Sequence, residues 1–224
     1  MQAEMGLTRE SVIADAGSGT GFLAELFLDA GNVVFGVEPN REMREAAEAL
    51  LAGRPNFHSV DGCAEATTLP ARGVDFVTAG QAFHWFDPQA VRREFARILR
   101  PGGGCVFVWN WRRADATPFI TAYEAFLERF CDEYRQLKKL EAIETDLATF
   151  FEPAGYEKRT FENVQLFDFD GLKGRLLSTS YAPLPGCPSH DAMIAELRRL
   201  FDAHQSHDRV RIDYDTLVYY GRLA

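Results

Sequence analysis

Residues 11–21 read Ser-Val-Ile-Ala-Asp-Ala-Gly-Ser-Gly-Thr-Gly, an apolar run that breaks into three glycines spaced two apart. Ser11–Ala16 has the character of a buried strand. Gly17, Gly19 and Gly21 then permit a left-handed backbone and a close approach of the main chain to a ligand. The following segment, Gly21–Ala30, carries Phe22, Leu23, Leu26, Phe27 and Ala30 on one helical face. Strand, glycine turn and helix together open an α/β unit.

Outward from this point the same alternation continues. Asn32–Val37 reads as a strand, and Asn40–Leu51 as a helix with Asn40 as N-cap and Met43, Ala46, Ala47, Leu50 and Leu51 along one face. Phe57–Val60 and Val74–Ala79 read as strands. Pro88–Arg100 reads as a helix buried through Val91, Phe95, Ile98 and Leu99, stopped by Pro101-Gly102-Gly103 before a fifth strand at Cys105–Asn110. This order predicts a mostly parallel sheet with helices on both faces. Ligands of such sheets lie beyond the carboxyl ends of the strands, so the loops after Ala16, Val37, Val60, Ala79 and Asn110 are the ones to inspect. Farther on, Thr117-Pro118 reads as an N-cap and first helical residue of a long helix carrying Phe119, Tyr123, Phe126, Leu127, Phe130 and Leu137. A helix over Glu144–Pro153, a strand over Phe161–Phe169, helices near Gly171–Ser178 and over Asp191–Ala203, and a last strand over Val210–Tyr220 complete the chain. The aromatic stripes of these helices read as core.

The 224 residues are 46% hydrophobic and 25% charged, which is ordinary globular composition and excludes disorder and coiled coil. The net charge of −9 divides into −5 up to Asn110 and −4 beyond it, so neither half offers a basic surface for nucleic acid. Neither an apolar run of membrane-spanning length nor a signal peptide is recognisable. The cysteines (Cys63, Cys105, Cys131, Cys187) form no C-x-x-C pair, and reduced thiols in a cytoplasm are expected. His204 and His207 read as a solvated helix end, and no metal site is expected.

The first chemical signal is a pair. Glu38 ends the second strand, 21 residues beyond Gly17. A carboxylate at that spacing accepts the ribose hydroxyls of an adenosine. The dinucleotide fingerprint G-x-G-x-x-G fails, because its third glycine would fall at Phe22. The pattern present, with Asp15 at its head, is D-x-G-x-G-x-G.

That pattern resembles the first motif of class I S-adenosyl-L-methionine (SAM)-dependent methyltransferases. Glu38-Pro39-Asn40 resembles the acidic segment after that family's second strand, and Asp61-Gly62-Cys63-Ala64-Glu65 with Leu69-Pro70 its adenine-side segment. Val74-Asp75-Phe76-Val77 resembles the fourth strand, and Leu99-Arg100-Pro101-Gly102-Gly103 the turn before the fifth. Gln81-Ala82-Phe83-His84-Trp85-Phe86 is similar to the subgroup that includes trans-aconitate-type enzymes. The resemblance is strong over Ser11–Trp111. It implies one Rossmann-like domain with a seven-stranded sheet in the order 3-2-1-4-5-7-6, the last strand antiparallel. Residues 1–113 would be the SAM-binding core, and 114–224 a helical substrate-side cover plus strands six and seven.

It also implies roles. Gly17, Gly19 and Gly21 would make room for the methionyl end, with Glu38 on the ribose and Pro39 and Met43 flanking the adenosine. Ala64 would touch adenine, while the Ala79 backbone and Gln81 would lie near the methionyl amine or methyl. Two departures stand out. Cys63 occupies a position where many relatives have an Asp that binds the adenine amino group, so Asp61, Glu65 or backbone groups would serve instead. Ten residues precede the first strand, where relatives usually carry a further helical segment.

His84 follows the fourth strand and is the candidate catalytic residue, either as general base or as a group that only shapes the pocket. Trp85 is a candidate substrate residue, although Trp85 and Phe86 read as packing ahead of cation–π partners of the sulfonium. Arg112 and Arg113 follow the fifth strand, where Arg112 would clamp a substrate carboxylate unless it is simply solvated. Tyr181 is a further pocket candidate. The expected activity is methyl transfer to a small-molecule carboxylate or hydroxyl by in-line displacement, leaving S-adenosyl-L-homocysteine (SAH). The alternative is a SAM-binding module without catalysis. A monomer or homodimer, with no nucleic-acid or membrane partner, is expected.

Overall fold

The first strand, β1 (Val12–Ala16), is buried from its second residue onward and lies in the interior of the sheet. The computed structural model describes residues 1–131, 134, 140–179, 181–183 and 186–223. The strands β2 (Val33–Val37), β3 (Phe57–Val60), β4 (Val74–Gly80), β5 (Leu99–Arg112), β6 (Glu157–Phe167) and β7 (Val210–Gly221) join β1 in a seven-stranded sheet. Their order is β3-β2-β1-β4-β5-β7-β6, as the resemblance implies. β1 pairs in parallel with β2 and β4, β2 with β3, and β4 with β5. β7 reverses direction. The Arg113 amide donates to the Asp213 carbonyl at 2.9 Å past one end of β5, whereas at the other end a Cβ on Gly104 would lie 3.0 Å from the Gly221 carbonyl oxygen.

One expectation fails instructively. Pro101–Gly103 does not separate helix from strand, because β5 already begins at Leu99. Val74 pairs with Leu99 and Phe76 with Gly104, so the Pro-Gly-Gly stretch bulges out of a ladder that resumes beyond it. Gly102 takes φ +82° in this bulge, and a Cβ on Gly103 would lie 2.6 Å from the Asp75 carbonyl oxygen of β4, so the glycines permit both the turn and the close return.

The helices lie where the sequence pattern places them, with shifted ends, but two of the expected apolar faces differ: Phe22 and Leu26 of the second helix and Met43 and Leu50 of the third are exposed, while Ala24, Phe27, Leu28, Ala47 and Leu51 are buried. They are α1 (Gln2–Met5), α2 (Phe22–Asp29), α3 (Arg41–Leu50), α4 (Pro88–Ile98), α5 (Pro118–Phe130), α6 (Leu140–Phe151), α7 (Phe169–Leu177) and α8 (Pro188–His204), with a short 3-10 helix at Phe83–Trp85. The predicted caps form. Asn40 Oδ1 accepts from the amides of Glu42 and Met43, and Thr117 Oγ1 accepts from that of Ile120. Asp87 does the same for α4, ahead of Pro88. The α5 helix stops at Phe130, and Leu137 lies outside the described residues.

Contacts divide the chain into two units, and each is discontinuous in sequence. The first comprises Met1–Trp109, Lys139–Arg159 and Leu217–Ala224; the second comprises Asn110–Lys138 and Thr160–Thr216. In the first, Ile13, Ala24, Val34, Phe76 and Val106 form one apolar cluster. Phe83, Phe107, Phe150 and Phe151 form a second, ring against ring. In the second unit, α5, α7 and α8 pack Phe119, Leu127, Leu172, Leu176, Met193 and Leu197 together with Ile212. Burying each such side chain is worth about 1.5–3 kcal/mol. Among the described residues no helix is long and apolar enough to cross a membrane.

Candidate cofactor site

The strand order turns back at β1, which lies between β2 and β4 although β4 follows β3 in the chain. The carboxyl ends of β1 and β4 therefore flank the crevice where ligands of such sheets bind. The glycine loop leaves β1 there, and Gln81–Phe86 leaves β4.

The glycine loop is tied down from both sides. The amides of Gly17 and Ser18 donate to the Val37 carbonyl at 2.8 and 3.1 Å. Gly17 has φ +66°, and a Cβ on it would lie 2.8 Å from Ala82 Cβ and 3.4 Å from the Phe86 ring. The loops after β1 and β4 thus touch at a point where only hydrogen fits. Gly19 differs: its φ is +55°, but a Cβ there would meet nothing within 4 Å. Gly21 sits at the N-cap of α2.

Glu38 is 7% exposed, and both its carboxylate oxygens are engaged. Oε2 accepts from the Gly19 amide at 2.9 Å, and Oε1 from the Asn40 amide at 3.0 Å. Each oxygen keeps a second lone pair. Pro39 is exposed beside it, and Met43 lies half-exposed in the first turn of α3. Asp15 is fully buried in β1, where its Oδ1 accepts from Thr78 Oγ1 at 2.9 Å and its Oδ2 has no partner. Burial raises its pKa to about 7; the Thr78 hydrogen bond opposes this, and the Glu38 charge adds to it.

On the β3 side, Cys63 is partly buried and bridges to Ala66, with Ala64 buried between them. This loop is anchored by residues that the motif reading passed over. Glu94 Oε1 accepts from both the amide and the hydroxyl of Thr67, at 2.8 and 2.6 Å. Arg97 pairs with Glu94 at 2.7 Å and donates to the Leu69 carbonyl. Arg97, and after it Thr67, hold the Glu94 pKa down at about 2 despite partial burial. Glu94 was legible, since it falls between Val91, Phe95 and Ile98 on the buried face of its helix, where a carboxylate needs a reason. Arg44 was not: it donates to the carbonyls of Glu38 and Pro39 at 2.8 Å and pairs with Asp61 at 3.1 Å, which ties together the loops after β2 and β3.

On the β4 side, Ala79 is fully buried and paired with Phe107. Gln81 holds φ +58°, a conformation that non-glycine residues rarely adopt, and its amide donates to the Val108 carbonyl. Such strain gathers at functional sites. His84 is half-buried, its ring 4.8 Å from that of Trp85. Trp85 is 64% exposed, so the packing role fails for it; Phe86 instead lies against Gly17.

In the second unit Arg112 is not solvated. Its Nε pairs with Glu124 at 2.6 Å, its Nη2 donates to the Tyr134 hydroxyl at 2.8 Å, and Tyr134 in turn donates to Glu124. Tyr181 packs against Tyr134 with ring centres 5.1 Å apart and ring planes tilted by 58°. Arg113 makes looser pairs with Glu162 and Asp215. Among the described residues no group of three or more His, Cys, Asp or Glu side chains is placed to hold a metal ion.

Comparisons with known proteins converge on one class. Residues 14–107 match the family profile of a methyltransferase domain. An uncharacterized methyltransferase of Mycobacterium tuberculosis H37Rv is 40% identical over 100 residues, spanning 45% of this chain and 40% of that one. An uncharacterized methyltransferase-like protein of Schizosaccharomyces pombe is 32% identical over 121 residues, spanning 54% and 46%. The matched stretch thus covers less than half of either relative. Among solved structures, a candidate type II methyltransferase of Anaeromyxobacter dehalogenans shares the fold at TM-score 0.65 and 22% identity over 94% of this chain and 89% of that one. The YcgJ protein of Bacillus subtilis does so at TM-score 0.62 and 19% identity, over 99% and 96%.

The fold is thus the seven-stranded Rossmann-like sheet that these solved structures share. Residues 14–107 of this chain are similar to a methyltransferase domain, and within them the glycine loop, Glu38 and the β4 loop occupy the carboxyl edge of the sheet. The narrower likeness to trans-aconitate-type enzymes is not matched by these relatives, whose names carry no acceptor.

Proposed function

We propose that the protein binds SAM at this edge and transfers its methyl group to a small-molecule acceptor. The observation that carries this is the clasp of Glu38 on Gly19, a glycine with open space above it. The site fits the cofactor in three further respects. Lone pairs of Glu38 remain for ribose hydroxyls. Asp15 Oδ2 is a buried acceptor without a donor, as an ammonium-bearing ligand requires. Pro39 and Met43 offer apolar surface beside Glu38 for an adenine ring. Gly17 and Gly21 let the loop pack closely, against Ala82 and Phe86 and against Leu51 and Ala47, so that its backbone is held beside the methionyl chain, and the Arg44 and Glu94 anchors hold the flanking loops. The Cys63 thiol is a weak hydrogen-bonding group, so Ala64 and the backbone around it would contact adenine.

The sulfonium supplies a methyl group already bonded to a good leaving group. The protein's task is then alignment, which is worth roughly 7–11 kcal/mol in well-oriented reactions. Gln81, held by its strained backbone, and the Ala79 carbonyl would fix the methionyl end. His84 would receive the proton of a hydroxyl acceptor, while a carboxylate acceptor needs no base. Trp85, exposed beside His84, would form a wall for the acceptor.

The test is calorimetric titration of the whole chain with SAM and SAH, with NADH as control, followed by transfer of a labelled methyl group to an acceptor panel. Micromolar binding of the first two and not the third is expected. Absence of binding to both would refute the assignment.

A further inference from the structure

The strand β6 ends the sheet, with β7 on one side and, among the described residues, no strand on the other. Such an edge presents unpaired backbone N–H and C=O groups, and edges are ordinarily blunted by brevity, by Lys or by Pro. β6 is 11 residues long. Its run within the second unit, Thr160–Phe167, holds no Lys and no Pro, and its one charged residue, Glu162, is paired with Arg113. Side chains alternate between the faces of a strand. Phe167 turns toward the apolar cluster of the second unit, and Asn163, on the same face, donates to Asn110 and Thr216. The other face carries Glu162, Val164 and Leu166, all exposed, with Val164 at 49% and Leu166 at 55%. Phe161 is 56% exposed.

A strand face turned to water is ordinarily polar. Two exposed aliphatic groups beside an open edge therefore point to a further strand laid along it, whose side chains would cover them. The sequence indicates which strand. Residues 161–167 read Phe-Glu-Asn-Val-Gln-Leu-Phe, nearly the same in either direction about Val164. In an antiparallel pair of identical strands with a two-fold axis at Val164, residues equally far before and after it lie opposite each other. Phe161 then meets Phe167, Asn163 meets Gln165, and Val164 meets its own copy. Leu166 lies opposite Glu162 and diagonal to Val164, so two valines and two leucines form one apolar strip, and the two Glu162 carboxylates are kept apart. Aromatic pairs and apolar neighbours of this kind stabilise a ladder beyond its hydrogen bonds. Any extended peptide completes the backbone bonds; a reversed copy of this run also matches aromatic with aromatic and amide with amide.

We propose that two copies of this chain pair antiparallel through their β6 edges, about a two-fold axis at Val164. The partner is a second copy of the same surface, and the contact closes on itself as a dimer instead of extending into a filament. The pairing does not depend on the cofactor assignment.

The experiment is analytical ultracentrifugation of the whole chain over a hundredfold range of concentration, up to about 200 μM, where interfaces with micromolar affinity are populated. The parent is expected to pass from monomer to dimer and no further. Val164→Lys and Val164→Glu place like charges opposite each other at the axis, and each should weaken association at least tenfold. Val164 is half in solvent, so both variants should fold, which circular dichroism checks. An equal mixture of the two should recover the dimer as a Lys–Glu heterodimer, a rescue that a merely structural valine would not give. A parent that stays monomeric at the highest concentration, which would leave the edge to some other extended segment, overturns the proposal. So does growth into larger oligomers, a variant that dimerises like the parent, or a mixture that stays monomeric.

Discussion

The carboxylate of Glu38 holds the main chain of Gly19, with 2.9 Å between Oε2 and the amide nitrogen, across the gap between the ends of β2 and β1. The side chain expected to bind the ribose is thereby also the brace of the loop that would make room for the rest of the cofactor. Removing it loosens the loop and deletes the ribose acceptor together. Hydrogen bonds to a charged group are worth about 1.5–3 kcal/mol, and each 1.4 kcal/mol is about tenfold in affinity. Glu38→Ala is therefore expected to weaken SAH binding by about 10- to 100-fold, with Glu38→Gln in between. Titration calorimetry on the folded variants checks this, and unchanged affinity would remove the ribose role.

Asp15 predicts a pH dependence of stability. Its pKa moves from 3.8 to about 7 because burial disfavours the charge. Across that interval the folded chain keeps a proton that the unfolded chain has released. Stability contributed at low pH is therefore lost as the pH rises from about 4 to about 7, and the loss levels off above. Asp15→Asn removes the group and its slope. The stability of the variant relative to the parent should climb with pH across that window and then stay flat. Urea midpoints of both proteins at four pH values between 4.5 and 8 test it. A constant difference would mean that Asp15 is ionised throughout.

Much of this edge was legible because local chemistry alone fixes it. The glycine spacing excludes a dinucleotide fingerprint, and a carboxylate 21 residues on has few other reasons to end a strand. Caps at Asn40 and Thr117 need only their own side chain and the next turn. What escaped the sequence depends on partners far away in it. The Pro101–Gly103 bulge exists because β5 pairs with β4 on both sides of it. Arg112 looked solvated because its partners, Glu124 and Tyr134, lie 12 and 22 residues on. Trp85 looked like packing because an indole ordinarily is.

Glu94 separates anchoring from contact. It lies on α4 and braces the loop after β3 through Thr67 and Arg97, without a place in the glycine loop. Glu94→Gln keeps the shape and gives up the charge that Arg97 and Thr67 hold. A loss of about 1–3 kcal/mol in stability is expected. SAH binding should weaken because the loop proposed to contact adenine is less fixed. Because the Glu94 pKa is depressed to about 2, its contribution is present above about 4.5 and fades as the pH falls toward 2. Chemical unfolding at pH 3 and pH 7 should therefore show a smaller difference between variant and parent at the lower pH.

Gly17 and Gly19 make opposite predictions from the same substitution. Both have positive φ, so an alanine strains the backbone at either, at a cost of about 1–3 kcal/mol. At Gly17 the new methyl also meets Ala82 Cβ at 2.8 Å, and the two loops must part. Gly17→Ala is thus expected to lower the melting temperature markedly, with SAH affinity falling as a consequence. At Gly19 the methyl enters open space, so the fold pays only for strain, and the loss appears in cofactor binding. Melting curves and SAH titrations of both variants place them on these two axes. If Gly19→Ala bound SAH like the parent, the space above Gly19 would not be where the cofactor lies.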